Sequence, residues 1–134
     1  FGDGIRLENA VVALDPQSPG GLIALELSWR TRAHLDTRYK VFVHVGAPDA
    51  PPVAQNDAEP AGGFRPTDTW QPDEVILDRR AVWLKPGTPP GRYGIFLGLY
   101  DSATGQRLPV TAAGSIHSGA AQGDRLLLGE VEIK

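Results

Sequence analysis

The stretch over residues 89–110 restricts the fold more than any other part of the chain. Within it Tyr93, Ile95, Leu97 and Leu99 alternate with Gly94, Phe96, Gly98 and Tyr100, and a period of two places one apolar row on a single face of a β-strand. Pro89 and Pro90 cannot donate to a sheet ladder and Gly91 permits a sharp bend, so the chain enters this strand round a corner. Tyr93 is placed to pack inward and return its hydroxyl to nearby backbone, the tyrosine corner of Greek-key sandwiches. Asp101-Ser102-Ala103-Thr104-Gly105 then supplies turn formers, and residues 107–110 are expected to pair back as a hairpin.

The remaining chain repeats the pattern in shorter pieces. Ile5, Leu7, Val11, Val12 and Leu14 make a first strand, with a bulge where the alternation slips between Asn9 and Val11. Asp15-Pro16-Gln17-Ser18-Pro19-Gly20-Gly21 is turn chemistry. Ile23, Leu25, Leu27 and Trp29 form the clearest half-buried strand. Residues 31–37 read as a loop crossing between two sheets. Tyr39-Lys40-Val41-Phe42-Val43-His44-Val45 is apolar on both parities, as in a strand covered on one face and partly on the other. Residues 53–57 form a short strand. Residues 58–70, with Pro60, Gly62, Gly63 and Pro66, form a long ordered loop.

Between residues 74 and 84 the apolar parity changes, from Val75 and Leu77 to Val82 and Leu84 across Asp78-Arg79-Arg80. A one-residue bulge near Asp78 is expected to bring both pairs onto the core. Residues 111–124 predict a loop with at most a short edge strand. Residues 126–133 predict a last strand with a bulge at Gly129. The sum is an all-β, two-sheet antiparallel immunoglobulin/fibronectin-III-like Greek-key sandwich of roughly seven to nine strands.

Composition excludes several functions. At 134 residues the chain is a single domain spanning residues 1–134, able to bury roughly two-thirds of its unfolded surface. A net charge of −3 with scattered Lys and Arg leaves no footprint for nucleic acid. The absence of cysteine removes disulfides, thiolate metal sites and thiol nucleophiles. No apolar run approaches the roughly 20 residues that cross a bilayer, so this domain itself is not expected to insert. Phe1 and the absence of Met are expected of a fragment cut from a longer polypeptide or of a processed chain.

No catalytic constellation emerges. Ser28, Ser102, Ser115 and Ser118 with His34, His44 and His117 lack a strand-turn-helix elbow, and His44, on the parity of Phe42, reads as a hydrogen-bonding residue near a sheet edge. Asp57, Asp68, Asp73, Glu74 and Asp78 are abundant, but glycoside hydrolysis needs two facing carboxylates, and turn capping is the favoured reading. Asp57 with Asp78 or Asp101 could chelate a structural ion across loops, a minor alternative to turn capping. No catalytic residue, metal or cofactor is assigned. The richer option is carbohydrate binding, by ring stacking and hydroxyl bonding, with Trp70, Gln55, Asp57, Arg65 and Asp68 as the ligand-binding set. Against it stands the favoured alternative in which Trp70 folds back as a lid on the core. Trp29 and Trp83 read as packing residues.

Several segments together resemble a bacterial family of immunoglobulin-like domains at the extracytoplasmic C-terminal end of multi-pass membrane glycosyltransferases of the protein-mannosyltransferase-like type, and of related uncharacterised membrane proteins. They are Tyr39 to Val45, Ala54-Gln55-Asn56-Asp57, Arg65-Pro66-Thr67-Asp68-Thr69-Trp70-Gln71-Pro72-Asp73-Glu74-Val75-Ile76-Leu77-Asp78, and Pro89-Pro90-Gly91-Arg92-Tyr93 through Arg107-Leu108-Pro109-Val110. Where the family's turn carries Gly-Glu, this chain has Asp73-Glu74. The resemblance implies a non-catalytic accessory domain, tethered outside the cytoplasmic membrane through its parent, that contacts glycan, acceptor polypeptide or the parent's catalytic region. Two further expectations stand beside it: a carbohydrate-binding module centred on Trp70, and a structural or protein-interaction spacer using an exposed sheet edge.

Overall fold

A computed structural model describes residues 1–2, 4–13, 17–111, 120–121 and 123–134. Among the described residues eight strands form two antiparallel sheets, with β1 Ile5–Val12, β2 Leu22–Thr31, β3 Tyr39–Gly46, β4 Ala54–Ala58, β5 Ile76–Trp83, β6 Gly91–Asp101, β7 Ala120–Ala121 and β8 Leu126–Ile133. One sheet is ordered β1-β2-β5 and the other β4-β3-β6-β8-β7. Because β4 pairs with β3 and the chain changes sheet after β2, β4 and β5, this is the immunoglobulin-like sandwich anticipated from the alternation. Leu14, expected to end the first strand, and Ser115, His117 and Ser118 lie outside the described residues.

The inward rows meet as predicted. Ile23, Leu27 and Trp29 of β2, Val41, Val43 and Val45 of β3, and Ile95, Leu97 and Leu99 of β6 are fully buried. The Tyr93 hydroxyl donates to Pro89 O at 2.8 Å, completing the tyrosine corner. Tyr100 bridges Arg107 and Leu108 N donates to Leu99 O, so residues 107–108 do fold back beside β6. The first bulge falls at Glu8, between Leu7 and Asn9, slightly earlier than the slip in alternation suggested. The last falls at Leu128, where β8 steps from Gly129 to Leu127 against Ile95 and Phe96.

The expected bulge near Asp78 does not form. β5 pairs with β2 in unbroken register from Trp83 to Ile76, so Ile76, Asp78, Arg80, Val82 and Leu84 share the inward parity, while Val75, Leu77 and Trp83 are exposed. Trp83, read as a packing residue, is 51% exposed. The inward Asp78 and Arg80 are paired at 2.7 Å. Asp78 also accepts from Trp29 Nε1 at 3.2 Å and from Ala61 N at 3.0 Å. Arg80 donates to Val41 O, Asn56 Oδ1 and Ala58 O. A buried ion pair is tolerated when further hydrogen bonds use its remaining donors and acceptors. Here those bonds tie β5, at the edge of one sheet, to β3 and β4, at the edge of the other. Asn56 Nδ2, donating to Ala81 O at 3.0 Å, closes the same side.

Candidate functional site

The five residues proposed for ligand binding separate into two groups. Trp70, Arg65 and Asp68 belong to the loop that carries the chain from β4 to β5. Gln55 and Asp57 lie on β4, facing out beside His44 and Phe42 of β3.

In the loop, Trp70 is fully buried and its Nε1 donates to Arg65 O at 2.9 Å. It is the lid of the core, and stacking a sugar on its face would require the loop to open. Buried Thr67 donates to Thr37 O at 2.7 Å and accepts from Tyr39 N at 3.0 Å, tying the loop to the entry of β3. Arg65 grips Glu74 through both terminal nitrogens, at 2.6 and 3.0 Å, and Gln71 N donates to the same carboxylate at 3.1 Å. The Arg65 hydrogen bond, followed by the Gln71 amide, holds the Glu74 carboxyl below its ordinary range. Between them Asp73 adopts φ of 63°, a backbone conformation natural to glycine, with its N–H on Thr31 O at 2.8 Å. Asp73 therefore occupies a glycine-like position.

The second group sits on the outer face of the five-stranded sheet. Phe42 and Phe96 face away from the sandwich core yet are only 1% and 2% exposed. Arg107 lies over the Phe42 ring at 4.4 Å and Arg125 over Phe96 at 3.9 Å, so guanidinium planes roof the rings by cation–π contact. Gly98 makes room for this layer, since a Cβ there would overlap the Phe42 ring edge and approach Asp124 O at 2.9 Å. Beside the rings, the Tyr100 hydroxyl donates to Asp57 Oδ2 at 3.2 Å and His44 Nε2 stands 3.5 Å from Asp57 Oδ1. Burial pushes the His44 imidazolium below its ordinary pKa, with Asp57 opposing and Arg107 and Arg125 assisting. Burial, with the Asp57 charge behind it, raises the Tyr100 phenol.

The face thus offers a carboxylate, an imidazole, a phenol and the exposed Gln55 amide on the paired strands β4, β3 and β6, a set suited to hydrogen-bonding hydroxyl groups. Asp57 and Gln55 are legible in sequence as polar β4 residues. His44 is legible as a polar contact near a sheet edge, and it faces Asp57 of the edge strand β4; Tyr100 is signalled only by the outward row Gly94, Phe96, Gly98 and Tyr100, alternating small and aromatic.

The chemistry weighed elsewhere is spent on structure. Asp101 accepts from Ala103 N and Thr104 N at 2.8 and 3.3 Å, capping its turn. Asp57, Asp78 and Asp101 each serve a different neighbourhood and do not converge on an ion. Among the described residues no three His, Asp or Glu side chains form a metal-ligand group.

Fold and faces together define an immunoglobulin-like β-sandwich with its β4–β5 loop tied down and one outer sheet face built from aromatic and polar side chains. No family model matches the sequence, and no curated protein matches it. Among solved structures, the chain is similar in fold to a Niemann-Pick type C2 protein from Japanese carpenter ant. That match has a TM-score of 0.59 and 7% identity, over 100% of this chain and 96% of that one.

Proposed function

We propose that this sandwich is a non-catalytic accessory domain of a membrane glycosyltransferase-like protein, held outside the cytoplasmic membrane and contacting glycan, acceptor polypeptide or the parent's catalytic region. The observation that carries the reading is where the carboxylates are engaged: Asp78 by Arg80, Glu74 by Arg65 and Glu59 by Arg38. A carboxylate turned toward its guanidinium partner has its oxygens engaged in structure and not presented to a substrate. The ordered motifs shared with the glycosyltransferase-associated domains support the setting, since residues 65–78 build the loop clasp and residues 89–93 the tyrosine corner.

Contact with saccharide, in this reading, falls to the outer sheet face and not to Trp70. Gln55, Asp57, His44 and Tyr100 supply the hydroxyl-binding groups. The test is a glycan panel by titration calorimetry, with turnover on glycosides and esters measured alongside. Saccharide binding lost in Asp57→Ala and Tyr100→Ala, with folding intact and no turnover, supports the reading. Turnover abolished by a single Asp or His substitution overturns the non-catalytic assignment, and silence across the panel transfers the domain to a spacer or protein-contact role.

A further inference from the structure

A second polar site lies on the opposite sheet, at the end where β1 and β2 approach the Asp73 turn. Arg6 and Arg30 are directly paired across the β1-β2 ladder, an arrangement in which like charges repel and destabilise the pair. Glu8, in the bulge, stands between them at 3.9 Å from Arg6 and 3.3 Å from Arg30. The compensation is electrostatic: Glu8 Oε1 and Arg30 Nε, both buried, face each other at 3.3 Å without the geometry of a hydrogen bond. Arg32, two residues beyond Arg30, is exposed and, among the described residues, makes no side-chain hydrogen bond or ion pair. The three arginines border a cavity of about 140 Å³ that is also lined by Gly4, Thr31 and Asp73, roomy enough for a small group with its first waters.

We infer that this cavity is a binding site for a singly charged oxyanion, a carboxylate or phosphodiester group, received by the Arg32 fork with Arg6 and Arg30 behind it. The valence follows from the local charges. Among the described residues three arginines are set against two carboxylates, Glu8 paired with Arg6 and Arg30 and Asp73 in the lining, so one positive charge is left to be met there, and the second acid disfavours a dianion. Arginine suits the task because its planar fork meets two oxygens of such a group at once. The Arg6–Arg30 opposition, costly in the empty sheet, is relieved when the anion arrives. The site is separate from the His44–Asp57–Tyr100 face and does not rest on the function proposed for it.

The experiment follows the arginine Nε–Hε resonances by NMR while sodium glucuronate or dimethyl phosphate is added at constant ionic strength against chloride, with glucose as the neutral control. Saturable shifts confined to Arg6, Arg30 and Arg32 are expected, with glucose inert. Arg32→Gln weakens binding about tenfold or more, as expected for loss of a charged hydrogen-bond donor, and Arg32→Lys restores only part of it. Response to glucuronate alone identifies a carboxylate site, and response to dimethyl phosphate alone a phosphodiester site. Absence of saturable shifts with both anions, equal shifts at the surface residue Arg92, or binding unchanged in Arg32→Gln overturns the inference.

Discussion

Replacing Asp78 with alanine tests whether the ion pair inside the sandwich holds the two sheets together. The Asp78 and Arg80 side chains are 0% and 4% exposed. Asp78→Ala strands the Arg80 guanidinium on neutral acceptors alone, the Val41 and Ala58 carbonyls and Asn56, and removes the acceptor used by Trp29 Nε1 and Ala61 N. Removing one partner of a buried pair costs about 3–5 kcal/mol. That is a large share of the roughly 5–15 kcal/mol that holds a domain folded. In urea unfolding it corresponds to a midpoint lowered by roughly 2 M at unchanged slope, and in a thermal scan to a drop on the order of 10–20 °C. Asp78→Leu combined with Arg80→Met is expected to be less damaging than Asp78→Ala alone, because no charge remains buried. Glu59→Ala, which frees the exposed Arg38 fork, serves as the surface comparison and should scarcely move the midpoint. If Asp78→Ala costs no more than Glu59→Ala, the pair is incidental and the sheets are held by their apolar rows alone.

Of the three tryptophans, Trp29 and Trp70 are fully buried and Trp83 is half exposed, so Trp83→Phe should remove most of the fluorescence that iodide quenches, whereas Trp70→Phe should leave quenching in place. Gly98→Ala should cost about 1–3 kcal/mol through the clash with Phe42, and Phe42→Leu in the same chain should recover part of it, as a double-mutant cycle in urea would register. At Asp73, valine should cost about 1–2 kcal/mol for the left-handed backbone, while glycine should be tolerated without loss, measured by thermal unfolding. His44 has a folded pKa below its ordinary value of 6.5, so the unfolded chain binds the proton more readily and stability falls as pH drops below about 6.5. His44→Gln should flatten that part of the stability–pH curve, and an unchanged curve would show that the imidazole is not the group responsible.

Alternation alone was enough to define the sandwich. The rows through Ile23 to Trp29, Val41 to Val45 and Tyr93 to Leu99 face one way in strands whatever their partners, so the inward faces, the sheet-crossing loop and the tyrosine corner were all readable before any strand was paired. Parity, however, names two faces and does not say which is the core. Around β5 the sequence pairs Val75 and Leu77 with Val82 and Leu84 as core residues, because Asp78 and Arg80 interrupt the row that is in fact buried. A bulge looked cheaper than a charge indoors, and only the opposite sheet's edge, by lending its carbonyls and Asn56 to Arg80, reverses that preference. The same holds for the candidate sites. Trp70 and Arg65 look like ligand groups in a polar loop until Glu74 and the core claim them. Asp57 acquires His44 and Tyr100 only across two strand pairings, and Arg6 meets Arg30 only through the β1-β2 register. Local periodicity is written in neighbouring residues, whereas the partners of a buried charge or of a surface cluster come from far along the chain, and tertiary packing alone brings them within reach.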